Sequence, residues 1–211
     1  MLHLLDLVGT FAFAVTGAYK AKGARLHLFG VVFLGIITAV GGGTFRDAII
    51  GRVPLFYLQD PSYLLIAILA GVVIYVAPTF FAKQYSFFRL IDSVCLAAFV
   101  IMGVSISNTF LFGGNSFSLL SLLVSVFLGM LTGFGGGIIR DAIMGGTPLS
   151  LQHGSNYVSS AFWGALSFYV LKNVDVHLAI IVSFTITLIL REVISRYGIY
   201  NKIIRKKKAL K

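Results

Sequence analysis

The chain has 211 residues, 58% hydrophobic and 11% charged, with a formal charge of +10 and a mean hydropathy of +0.95. A soluble domain carries about 25% charged residues, so the composition excludes one and defines an integral membrane protein. The single cysteine, Cys95, excludes an internal disulfide, and the positive excess lies in short loops and the C-terminal tail, which argues against a nucleic-acid partner.

The first apolar run covers residues 2–19. It has no basic n-region, contains Asp6 and shows no clear cleavage site followed by soluble sequence, so it reads as a span and not a signal peptide. A crossing needs about 20 apolar residues. Six more runs qualify, at 26–51, 62–81, 88–107, 117–145, 156–172 and 176–195. The second and fifth are too long for one straight crossing, and each contains three consecutive glycines. Each is expected to form two half-helices joined at a kink. The connections leave no room for a soluble domain, and Pro54, Pro61, Pro78 and Pro148 fall near span ends.

The basic residues set an orientation. One side receives Lys20, Lys22, Arg25, Lys83, Arg89, Arg191, Arg196, Lys202, Arg205, Lys206, Lys207, Lys208 and Lys211; the other receives only Arg52 and Lys172. The expected topology places the N-terminus outside and the C-terminus in the cytoplasm. The tail serves as a topology anchor drawn to anionic membrane lipids, at about 1 kcal/mol per charge.

An internal repeat organises the chain. Gly41-Gly42-Gly43-Thr44-Phe45-Arg46-Asp47-Ala48-Ile49 recurs as Gly135-Gly136-Gly137-Ile138-Ile139-Arg140-Asp141-Ala142-Ile143, 94 residues later and identical at seven of nine positions. At the same offset Thr38 matches Thr132, Pro54-Leu55 matches Pro148-Leu149, and Tyr63, Ala67 and Tyr75 match Tyr157, Ala161 and Tyr169. Asp6, Phe13 and Gly17 match Asp92, Phe99 and Gly103 at an offset of 86, the difference being a longer connection around Gly113-Gly114-Asn115. Each copy holds three spans, and an odd number inverts the second copy in the membrane. The expected fold is all-α: two inverted three-helix repeats at 1–86 and 87–174, a seventh helix at 175–198 and a basic cytoplasmic tail at 199–211.

The chemistry concentrates at the duplicated motif. Within lipid, backbone groups released from a helix must be paired or face water. Freed carbonyls can replace a cation's hydration shell, and freed N–H groups favour anions. Gly41, Gly42, Gly43, Gly135, Gly136 and Gly137, with Asp47 and Asp141, are therefore candidate pathway residues, and Thr38 and Thr132 could add oxygens. Intramembrane charges face the bundle interior or water. Adjacent helical residues lie about 100° apart, so Arg46 and Asp47 are not expected to neutralise one another. Their depth suggests cross-helix pairs, Asp6 with Arg46 and Asp92 with Arg140. His3, His27, His153 and His177 sit at span ends as interfacial side chains. Thr16, Thr38, Ser93, Ser105 and Thr132 read as hydroxyls bonded back to their own helices. No nucleophile–base pair, phosphate loop or metal motif is present, so an enzyme is not expected.

The duplicated Gly-Gly-Gly-x-x-Arg-Asp, with Pro-Leu downstream and seven spans, resembles the trimeric intracellular cation channel (TRIC) family, in particular its bacterial and archaeal members. The same sequence group also carries the label of a glycine-transporter family. The resemblance covers nearly the whole chain except the basic tail. It implies a homotrimer in a prokaryotic plasma membrane, with one potassium-permeable pore per protomer lined by the kinked second and fifth helices. It implies no cofactor beyond permeant potassium ions and bound lipid. The lipid-binding basic motif of the animal members has no match here. A carrier for glycine or another small zwitterion is the alternative, and an accessory membrane protein without permeation is the second rival.

Overall fold

The computed structural model describes residues 2–77, 85–114, 117–152 and 156–209, with side chains described for 3–77, 88–114, 117–152 and 156–192. Pro78, Lys83, Asn115, His153, Arg196 and the basic side chains of the tail lie outside that description. The described residues are all-helical: α1 Leu2–Gly23, α2 Leu28–Ile50, a single turn α3 Phe56–Gln59, α4 Ser62–Val76, α5 Tyr85–Phe112, α6 Leu119–Ile143, a 3₁₀ turn Leu149–Leu151, α7 Tyr157–Leu171 and α8 Val176–Ala209.

The helix boundaries follow from local chemistry. His27 caps α2, its Nδ1 accepting the Gly30 N–H at 3.1 Å. At the other end Gly51 takes φ 72°, the left-handed stop that glycine adopts without a Cβ penalty. Ser118 and Ser121 form a reciprocal capping box at the start of α6. Among the described residues, α1, α2, α5 and α6 are long and apolar enough to cross a membrane, and α4 and α7 are shorter apolar helices. The short turns Phe56–Gln59 and Leu149–Leu151 were not foreseen. Each starts at a Pro-Leu pair after a glycine-bearing helix, the first just past Leu55 and the second at Leu149 itself.

Between helices in lipid there is little hydrophobic drive, so close packing and polar contacts decide the fold. One apolar core gathers α1, α2 and α4 around Phe13, Leu34, Tyr63, Ala67, Ala70 and Ile74. A second gathers α5 to α8 around Leu96, Val100, Ala161, Ala165, Phe168 and Tyr169. Phe13 and its repeat mate Phe99 stack at 5.1 Å where the two halves meet. The α2–α6 contact is the other seam between halves.

Both glycine-bearing helices run uninterrupted through their triplets. The expected break into half-helices, with carbonyls and N–H groups set free, is not present. Glycine costs a helix roughly 1 kcal/mol per residue relative to alanine. Here that cost is offset by the approach of the two helices, which a side chain would prevent.

Candidate functional site

The site begins at the α2–α6 crossing. A Cβ on Gly42 would overlap the carbonyl oxygen of Thr132, and a Cβ on Gly136 would overlap the carbonyl oxygen of Thr38. The contact is reciprocal, since 42 and 136 are repeat mates and so are 38 and 132. A Cβ on Gly135 would lie 3.0 Å from the Gly42 Cα, and one on Gly41 2.5 Å from the Ile139 side chain. Gly43 faces the Phe56 ring, at 2.6 Å from such a Cβ, whereas Gly137 has Arg140 at 3.6 Å. Gly42, Gly135 and Gly136 thus bring the two backbones together, with Gly41 beside them, whereas Gly43 makes room for a ring.

Thr38 and Thr132 turn their hydroxyls away from this crossing. Each donates to its own helix, to Leu34 and Leu128 carbonyls at 2.6 Å. Thr38 packs against Gly17, and Thr132 against Gly103, where a Cβ would come within 2.6 Å of its hydroxyl oxygen. Thr16 and Ser93 also bond back to their own helices, at 2.9 Å each.

On one side of the crossing lies a first charge cluster. Arg46 folds along its helix and grips Asp47, with Nε and Nη2 at 2.9 and 2.8 Å from Oδ1. Asp47 Oδ2 accepts the Phe56 N–H at 3.3 Å, which docks the α3 turn, and Arg52 lies 3.8 Å from Oδ1. Asp6 instead accepts the Tyr63 hydroxyl at 2.7 Å. Two expectations are corrected here. The adjacent Arg46 and Asp47 do neutralise each other, because the long arginine stem spans the angle between neighbouring positions. Among the described residues no ion pair within 4 Å joins Asp6 to Arg46: Asp6 accepts from Tyr63 while Arg46 turns to Asp47.

On the other side lies a second, denser cluster. Arg140 Nε donates to Asp141 Oδ1 at 2.8 Å, and its Nη1 reaches Asp92 at 3.3 Å and the Thr16 hydroxyl at 3.1 Å. Lys20 lies 2.8 Å from Asp141 Oδ1, while Asp141 Oδ2 accepts the Leu149 N–H at 2.8 Å. Arg191 from α8 donates to the second Asp92 oxygen at 3.2 Å and lies 3.8 Å from the centre of the Tyr157 ring. Glu192 accepts from Arg89 at 3.1 Å and from Ser93 at 2.9 Å. Asp47, Asp141, Arg46 and Arg140 are all at most 4% exposed. Arg46 reaches one Asp47 oxygen through two nitrogens and Arg140 reaches Asp141 through one, and in so dry a setting removing either partner strands a buried charge.

Lys20, Tyr63, Arg191 and Glu192 were not singled out as site residues by sequence reasoning. Tyr63 and Tyr157 had a usable signal, being repeat mates. Lys20 and Arg191 were counted only as topology charges. A further polar contact was also missed. Lys172 donates to Asn108 at 2.6 Å and to the Gly114 carbonyl, closing the C-terminal end of α5. Among the described residues His3, His27 and His177 form no ligand cluster, and no grouping of three metal-binding side chains exists there.

Comparison with known proteins places this arrangement. The fold is that of a helical membrane channel of the TRIC type. It superposes on the TRIC orthologue from Rhodobacter sphaeroides with a TM-score of 0.82 at 30% identity, covering 93% of this chain and 98% of that one. A structure described as the basis for conductance through TRIC cation channels matches with a TM-score of 0.78 at 32% identity over 90% of each chain. A prokaryotic TRIC channel crystallised in 0.5 M KCl matches with a TM-score of 0.82 at 26% identity. The family model described as glycine transporter matches residues 3–79 and 89–173. The chain belongs to this family, the glycine-transporter group that includes the prokaryotic TRIC channels. Curated relatives are a UPF0126 membrane protein of Deinococcus radiodurans, 41% identical over 102 residues, and the inner membrane protein YadS of Escherichia coli K12, 38% identical over 106. These matches span about half of each: 48% of this chain and 47% of the first relative, 49% and 50% for the second. The solved neighbours are channels, not enzymes, and the chain is an integral membrane protein.

Proposed function

We propose that the chain is a channel for monovalent cations, chiefly potassium, with one path per protomer in a homotrimer. The observation that carries this reading is the superposition on two TRIC structures at 30 and 32% identity over at least nine-tenths of the chain. The path follows α2 and α6 to either side of the glycine crossing. Asp47 and Asp141 are neutralised by Arg46 and by Arg140 with Lys20 in this state, and they offer a cation a negative field once a cluster releases its carboxylate. They replace the role expected of freed carbonyls, since the helices are continuous and the Thr38 and Thr132 carbonyls already face glycine. Opening is a bend or pivot of α2 and α6 at their triplets, accompanied by release of one charge cluster.

The topology we propose is two inverted three-helix repeats plus α8, with the N-terminus outside and the C-terminus in the cytoplasm. The self-contact of repeat mates supports it, because a residue that touches its own mate lies near a two-fold axis: Phe13 with Phe99, and Gly42 with Gly136. On this topology the Asp47 cluster lies towards the outside and the Asp141 cluster towards the cytoplasm. The basic tail then meets the anionic inner leaflet.

Planar-bilayer recording of the purified protein under opposed potassium and sodium gradients tests the reading. Discrete unitary currents that reverse near the potassium equilibrium potential are the expected result. A glycine or small-zwitterion carrier is the second reading, favoured by the description of the family model. Saturable glycine uptake into proteoliposomes without unitary currents would establish it instead. Flux of neither solute above empty liposomes would overturn both.

A further inference from the structure

The two clusters are built from repeat mates, yet the second also draws on Lys20 and Thr16 of α1 and on α8. Asp6 and Asp92 are mates, as are Arg46 and Arg140, Asp47 and Asp141, and Tyr63 and Tyr157. In the first cluster Tyr63 holds Asp6, and Arg46 is committed to Asp47. In the second, α8 inserts Arg191. Its guanidinium lies over the Tyr157 ring and takes one Asp92 oxygen at 3.2 Å, and Arg140 takes the other at 3.3 Å. Arg140 is therefore divided between Asp92 and Asp141, a division Arg46 does not make.

Arg191 is well placed to control that division. Two guanidiniums share Asp92, so each weakens the hold of the other. Glu192, the next residue, is tied to Arg89 and Ser93 on α5, which lie on either side of Asp92 in the chain. The end of the α8 span is thus fixed against α5 by two adjacent residues of opposite sign. A planar fork stacked on an aromatic ring is a rigid donor, which a lysine would not reproduce.

We infer that Arg191 is a positioning residue for the pathway: by occupying Asp92 it keeps Arg140 engaged with Asp141, and α8 thereby sets the closed–open balance of the second cluster. This deepens the channel reading and rests on it. Loss of Arg191 leaves Asp92 to draw Arg140 alone. Arg140 then leaves Asp141, and the carboxylate remains held by Lys20 and the Leu149 N–H.

The test is a cycle of Arg191→Met, Asp92→Asn and the double variant, with Arg191→Lys as the conservative control. Bilayer recording reads open fraction and unitary current separately. The expected result for Arg191→Met is an open fraction changed by about fivefold or more, the lower end of typical coupling between sites, with unitary current unchanged. The double variant should return towards wild type, because Asp92 no longer competes for Arg140. Arg191→Lys should fall between wild type and Arg191→Met. A merely structural role would lower yield and stability without that reversal. An unchanged open fraction in folded Arg191→Met, or effects of the two substitutions that simply multiply, would overturn the inference. A structure of Arg191→Met provides a readout free of conduction: the Arg140 guanidinium should leave Asp141 for Asp92. If the wild type carries no current but Arg140 still shifts, the channel reading fails and the positioning role stands. If Arg140 remains divided, the positioning role fails.

Discussion

Asp6 and Asp92 stand at equivalent places in the repeat and are held by different chemistry. Asp6 meets a phenol on α4 at 2.7 Å, a single neutral donor. Asp92 meets two guanidiniums, one from α6 and one from α8, at 3.3 and 3.2 Å. The first cluster is closed within one half of the chain. The second draws on α1, α5, α6, α7 and α8, with Lys20 and Thr16 crossing from the other half. The duplicated motif supplies the Arg-Asp unit at both ends, and the sequence outside the repeat decides how strongly each end is fastened. A charge-rich, multi-helix clamp loses more when one member is removed than a local hydrogen bond does.

The largest expected effect follows from that difference. Asp92→Asn removes the carboxylate shared by Arg140 and Arg191 and should cost about 3–5 kcal/mol, the range for breaking a buried ion pair from one side. Asp6→Asn should cost clearly less, because Tyr63 can still bond an amide. Thermal unfolding of both variants in one detergent reads the gap, and equal losses would erase the distinction between clusters. Next come Gly42→Ala and Gly136→Ala. Each places a methyl onto a backbone carbonyl, so each should cost about 1–3 kcal/mol by overpacking. Their losses should match within error, since the contact is reciprocal. A large inequality measured by the same unfolding assay would mean that the crossing is not symmetric in energy.

Tyr63→Phe removes one buried hydrogen bond to a carboxylate and should cost about 1.5–3 kcal/mol, the range for bonds to charged groups. In Asp6→Asn protein the same change should cost less, and the double-mutant cycle measures the pair directly. The smallest effect belongs to Lys20→Met. The Lys20 side chain is 37% exposed, so solvent screens its pair with Asp141. The loss should stay below about 1 kcal/mol, while flux through the protein should change more than stability does. A loss as large as that of Asp92→Asn would show that Lys20 carries the clamp.

The apolar helices were legible because hydropathy is a one-dimensional signal, as is the offset of 94 that relates the two motifs, although among the described residues only four helices are long and apolar enough to cross a membrane. The seven runs correspond to α1, α2, α4, α5, α6, α7 and α8, with ends shifted by a few residues except at α8, which continues to Ala209 through the stretch expected as a separate basic tail. What the glycines do was not legible. A glycine triplet reads the same whether the helix breaks or another backbone lies against it, and only the position of Thr132 beside Gly42 distinguishes the two. The charge partners were partly legible. Asp92 and Arg140 share a depth, and they touch. Asp6 and Arg46 share a depth equally well, but Arg46 turns to its neighbour Asp47 and Asp6 takes the Tyr63 hydroxyl. Depth cannot report which helix face a neighbour presents. Lys22 and Lys172 show the same limit. Lys22 lies 3.6 Å over Tyr75, and Lys172 lies 5.2 Å from Tyr169. The two lysines come from different places in the repeat, because Asn108 stands where Lys22 would be matched.

The contact between Gly42 and Gly136 has a mechanical meaning. Two rods that cross with no side chains between them have little to resist turning at that point. Resistance to rotation comes from their ends, where Asp47 and Asp141 are fastened to the Phe56 and Leu149 turns. The pair behaves as a lever with a bare fulcrum and two unequal weights. Loosening one end loads the other, so whether such a molecule conducts freely or passes its cargo in turns depends on whether both weights can be lifted together.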